Sequence, residues 1–185
     1  MTEAERLTRR WLDECVLALG LCPFAAPVLR DTSLRITVCE ASNAAQQLRQ
    51  FEQELALLQR VPEAEVSTTL LVYDTGLEDF MLFLERLEQC QIRLQRAGLE
   101  GVIQLASFHP HYLFAGEPEQ ALSHYTNRSP RPTIHLLREN MLSKAIERYP
   151  DTQDIPVNNM ALLEEMGAEQ VEELWQRVGV TRPPD

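Results

Sequence analysis

The chain predicts an α/β fold: one domain over residues 1–185, built on a mainly parallel sheet of three or slightly more strands with crossover helices, an N-terminal helix and a C-terminal helical segment. Three observations carry this reading. Residues 34–39, 68–73 and 101–108 are short β-branched, apolar or alternating runs. Between them lie two long stretches with apolar residues at helical spacing. Connections of that length join parallel neighbours, in a right-handed sense.

The elements follow in order. Ala4, Leu7, Trp11, Cys15, Ala18 and Leu19 share one face of a helix over 4–19, which Gly20 closes and Pro23 prevents from continuing. Leu34, Ile36 and Val38 alternate with Arg35, Thr37 and Cys39, as in a strand with one buried face. Ser42 or Asn43 caps a second helix with the stripe Ala44, Leu48, Phe51, Leu55 and Leu58, and Pro62 lies just past its end. Residues 68–73 are β-branched and apolar on both faces, which suits a central strand. A third helix over 77–97 turns Phe80, Phe83, Leu87, Cys90 and Leu94 inward, and Gly98 ends it before the third strand. Two helices are expected after that, over 132–148 and 158–177, the second broken near Gly167. Residues 179–185 are expected to form a frayed tail.

Seventeen basic residues against 28 acidic give a net charge of −11, which disfavours nucleic acid and anionic membranes as partners. No apolar run approaches the roughly 18 residues of a membrane span, and the N-terminus lacks the basic and apolar segments of a secretory signal, so a cytoplasmic location is expected. Cys15, Cys22, Cys39 and Cys90 form no Cys-x-x-Cys pair and read as reduced thiols. Oligomeric state is not legible.

All four histidines, His109, His111, His124 and His135, fall in one window. From Ser107 to Arg138 three arginines face two glutamates, so this island carries +1 inside an acidic chain. That reversal points to a small anionic partner. In an open parallel sheet, ligands bind beyond the carboxyl ends of the strands, where Glu40, Asp74 and His109 follow the three strands. Pro110 holds His109 extended, which turns His109 and His111 to the same side. With Glu40 and Asp74 they can form a divalent-metal site, the one cofactor the pattern suggests, or serve as hydrogen-bonded loop anchors.

On a helix starting at Pro132, Arg131, His135 and Arg138 are spaced i, i+4, i+7 near free N–H groups that attract anions, with Asn127, Arg128, Ser129 and Thr133 close by. A phosphate or carboxylate is the expected ligand. The structural alternative is that Arg138 bridges to Glu40 or Asp74. Leu-Cys-Pro-Phe at 21–24 offers Cys22 as a thiol nucleophile, but its apolar neighbours read it as a plug into the core.

Leu-Cys-Pro-Phe-Ala at 21–25, Gln-Leu-Ala-Ser-Phe-His-Pro at 104–110 and Asn-Arg-Ser-Pro-Arg-Pro-Thr-Ile-His-Leu-Leu-Arg-Glu at 127–139, with Thr68-Thr69-Leu70 and Asp154-Ile155-Pro156, resemble a bacterial family known as domain of unknown function 1415. The resemblance spans nearly the whole chain and implies that these stretches belong to one constellation, without bringing an activity. Three functional readings remain open. In the first, Asn127, Arg128, Ser129, Arg131 and Arg138 bind a small anion, with His109 or His135 as general acid or base. In the second, a metal-dependent hydrolase uses His109, His111, Glu40 and Asp74. In the third, the motif loop braces a noncatalytic interaction or structural module.

Overall fold

A computed structural model describes residues 1–30, 32–141 and 154–181. In chain order the described elements are α1 (Glu3–Trp11), a π-helical turn (Leu12–Leu17), α2 (Ala25–Arg30), β1 (Leu34–Cys39), α3 (Ala44–Arg60), β2 (Thr68–Tyr73), α4 (Phe80–Arg96) and β3 (Ile103–Phe108). A 3-10 helix (Leu122–Asn127), β4 (Thr133–Arg138), α5 (Ile155–Met166) and α6 (Ala168–Arg177) follow. The first three strands and the helices between them lie where the periodicity places them. Asn43 caps α3 by accepting the Gln46 N–H, and Gly167, at φ 79°, separates α5 from α6.

The sheet has the order β1-β2-β4-β3. β1 and β2 pair in parallel across the α3 crossover, and β3 runs in the same direction as both. β4 lies between β2 and β3, antiparallel to each, so the expected mainly parallel three-stranded sheet is a mixed four-stranded sheet with one parallel pair.

β4 also corrects the helix expected over 132–148. Its six residues fit a helical stripe through Ile134, Leu137 and Met141 as well as a strand with Thr133, His135 and Leu137 on one face, and so short a run does not separate the two periods. Tertiary context decides. The segment gives both β2 and β3 a hydrogen-bonded neighbour and removes Ile134 and Leu136 from solvent. Helical backbone begins at residues 139–141, and 142–148 lie outside the described residues.

Side chains alternate across this sheet. One face carries Cys39, Leu71, Tyr73, Ile103, Ile134 and Leu136 against α3 and α4. The other carries Leu34, Ile36, Leu70, Val72 and Phe108 beneath α1, the π turn, α5 and α6. Each large side chain buried this way contributes roughly 1.5–3 kcal/mol. Val180, expected within a frayed tail over 179–185, is 5% exposed and donates its N–H to the Trp175 carbonyl. Residues 182–185 lie outside the described residues. No helix among the described residues is long and apolar enough to cross a membrane.

Arg138 closes the far end of β4. Its Nε and Nη2 donate to the carbonyls of Val66 and Val61, at 3.1 and 2.8 Å, and not to Glu40 or Asp74, which follow the opposite ends of β1 and β2. We expect Arg138→Met to reduce the free energy of unfolding by about 1–3 kcal/mol in chemical denaturation, because two carbonyls lose charged donors. An unchanged midpoint and slope would contradict this brace.

Candidate functional site

At the carboxyl edge Asp74, His109 and His111 each have partners within the fold. Asp74 follows β2 and accepts from Arg131 Nε at 3.0 Å, while the Tyr73 N–H donates to the Pro132 carbonyl. Glu40 is exposed, and its carbonyl accepts from Thr75 Oγ1. His109 is fully buried between Phe80 and Phe83, with Nδ1 accepting the His111 N–H at 3.0 Å and Nε2 facing the Leu77 carbonyl at 3.0 Å. A carbonyl accepts only, so Nε2 carries the proton and both ring nitrogens are committed. Desolvation pushes this imidazole down to about 4.

His111 stands edge-on to His109, at 5.6 Å between ring centroids. Burial lowers its pKa, with Arg128 adding to the effect. Among the described residues, no three or more His, Cys, Asp or Glu side chains are grouped to hold a metal ion. His109, His111, Glu40 and Asp74 therefore do not converge as a ligand set.

The Asn127–Arg131 loop is likewise occupied by the fold. Asn127 donates to the Ser107 carbonyl, and its own carbonyl accepts the His109 N–H. Arg128 is 6% exposed, lies 4.2 Å over the Tyr125 ring and donates from Nε to the Tyr112 carbonyl. Its carbonyl accepts from the Trp175 indole. Ser129 and Thr133 hydroxyls both donate to the Arg131 carbonyl. Because residues 133–138 are a strand, His135 and Arg138 point to opposite faces, and the expected i, i+4, i+7 grouping at a helix start does not form.

The described residues also form a concavity. A cavity of about 590 Å³ lies on the sheet face opposite α3 and α4. Leu34, Thr68, Leu70, Phe108, His135 and Leu137 form its floor. Trp11, Leu12 and Val16 of α1 and the π turn, the 21–25 segment with α2, the 3-10 helix, and the start of α5 form its walls. The π turn, a form common at functional sites, is held by bonds such as Leu21 N–H to the Val16 carbonyl. Asn159 of α5 donates to the Leu21 carbonyl at 2.9 Å, tying two walls together.

Each of the five motif segments contributes to this one cavity: Cys22 from the first, Phe108 from the second, Asn127 and His135 from the third, Thr68 and Leu70 from the fourth, and Pro156 from the fifth. Sequence reasoning found His135 and Cys22 but missed their meeting place. The remaining lining is mostly Leu, Val, Ile, Phe and Met, which in sequence is indistinguishable from core. Cys22, expected as a core plug, is a half-buried wall residue whose thiol is pushed up by burial, against backbone N–H bonds from Phe24 and Ala25.

His135 is the polar centre of the floor. It pairs with Leu70 on β2 and Ala106 on β3, and its Nε2 lies 2.6 Å from Thr68 Oγ1. Thr68 Oγ1 also donates to the Leu136 carbonyl at 2.7 Å. Desolvation pushes His135 down to about 4, so the ring is neutral at pH 7.

His109 and His135 both bind protons less readily in the fold, near 4, than in the unfolded chain, near 6.5. Their contribution to stability is therefore complete above about pH 6.5 and declines as the pH falls toward 4. For the fully buried His109 the slope approaches about 1.4 kcal/mol per pH unit. Denaturation curves between pH 4 and 7.5 should show this decline, with a shallower slope in His109→Gln. Equal slopes in the two proteins would show that His109 is not held neutral.

No curated protein and no solved structure matches the chain. The profile of the family described as protein of unknown function (DUF1415) matches residues 3–173 of the 185, and the chain belongs to that family.

Proposed function

We propose that this protein binds a small, predominantly apolar molecule in the cavity over His135, and that the histidine- and arginine-rich loop serves as the brace that holds the cavity floor. The observation that carries this reading is the convergence of all five motif segments on one apolar hollow of about 590 Å³, within the roughly 300–1,000 Å³ typical of ligand pockets. Its lining is mostly apolar, the composition of ligand pockets. Water is a poor filler for walls of this composition, whereas an apolar molecule restores the missing dispersion contacts.

The arginines on which anion recognition would depend are engaged with Asp74, backbone carbonyls or the Tyr125 ring. An imidazole with a pKa of about 4 is poorly matched to general-base work at neutral pH. Binding, with His135 in recognition, is the function we assign.

Val28 of α2 lines the cavity and tests the assignment. Naphthalene-sized apolar probes should raise the melting temperature of the native chain saturably, following the usual binding linkage, and should quench or shift Trp11 fluorescence. Val28→Trp should abolish both responses while leaving the protein at least as stable, because the indole occupies the hollow. Phosphate, sulfate and acetate should give no saturable shift at matched ionic strength. A response to those anions with none to the apolar probes would overturn the reading.

A further inference from the structure

We propose that the occupant of this cavity is a neutral molecule whose apolar body carries a hydrogen-bond donor, an alcohol or phenol hydroxyl or an amide N–H, directed at Nδ1 of His135. This rests on the cavity-binding reading above and adds the chemical class of ligand.

Proton accounting at Thr68 fixes the polarity of the site. A threonine hydroxyl has one proton, and the Leu136 carbonyl, 2.7 Å away, can only accept it. The bond of 2.6 Å between Thr68 Oγ1 and His135 Nε2 must then be donated by the ring, so Nε2 carries the imidazole proton. In the neutral ring, Nδ1 is consequently a bare acceptor. No hydrogen bond to Nδ1 is made among the described residues. His135 is part-exposed, and the space that it borders is the cavity.

Charge at the walls favours the same class. Glu117 is among the lining residues, and its carboxylate repels an anionic ligand. Protonating His135 to supply a cation opposes the desolvation that holds it neutral. Phe108 lies tilted at 6.3 Å from the His135 ring, with Trp11 edge-on to Phe108 at 5.2 Å, so the acceptor stands beside an aromatic wall suited to a flat apolar body.

The test compares 2-naphthol, 2-methylnaphthalene and 2-naphthoate on the full-length native chain at pH 7, by calorimetry and by ¹⁵N NMR of imidazole-labelled protein. We expect 2-naphthol to bind about tenfold more tightly than 2-methylnaphthalene, the ratio corresponding to one well-formed hydrogen bond. In the free protein, Nδ1 should give the resonance of an unprotonated nitrogen. That resonance should shift with 2-naphthol and hold with 2-methylnaphthalene. His135→Phe should erase the preference while retaining binding of the hydrocarbon; the NMR readout stands without that variant if it folds poorly. Equal affinities with an unmoved Nδ1 would overturn the donor proposal and leave the cavity reading intact. Preference for 2-naphthoate would overturn the neutral class. Failure of all three probes to bind would remove the cavity reading itself.

Discussion

The antiparallel insertion of β4 between β2 and β3 is the constraint on which the rest of the architecture depends. It sets His135 opposite Leu70 and Ala106, in the interior of the sheet face and not on a loop. It sends Ile134 and Leu136 into the layer beneath α3 and α4, where both are fully buried. It also makes the two ends of the strand into anchors, through Arg131 to Asp74 and through Arg138 to the carbonyls of Val61 and Val66. A one-residue slip would exchange the two faces, burying His135 among hydrocarbons and emptying the core of two large side chains.

The two faces of the sheet are built differently as a result. Against α3 and α4 the packing is continuous, with Phe51, Leu58, Leu71 and Phe83 fully buried. Against α1 and α5 the layers stand apart over the cavity, and they meet around it through Trp11, Leu163, Val171 and Trp175. The second cluster supplies walls of the cavity as well as core. Substitutions at the rim have room to be absorbed, whereas those in the first cluster meet close-packed neighbours.

Much of this was legible in the sequence, for identifiable reasons. The stripes of α3 and α4 and the alternation of β1 are long enough to fix a period, and Asn43 and Gly167 punctuate where such residues should. β4 was not legible as a strand, because its six residues fit both periods and the deciding energy comes from strands 60 residues earlier in the chain and 30 earlier, roughly. That one error moved the expected site: it placed Arg138 and His135 on neighbouring rows of a helix when they face opposite sides of a sheet. The histidine cluster did mark a structurally demanding segment, since His109 and His124 are both fully buried with hydrogen-bonded rings. The cavity left no mark of its own, because a residue lining a hollow and a residue filling a core have the same hydropathy.

Everything functional in this account rests on a persistent apolar space between the sheet and its α1–α5 cover. Diffraction from a crystal under xenon pressure tests that most directly, since xenon enters apolar cavities without needing a hydrogen bond. Anomalous peaks are expected in the space bordered by Val28, Leu70 and Met160. Density showing those residues closed onto one another, with no xenon between them, would contradict it.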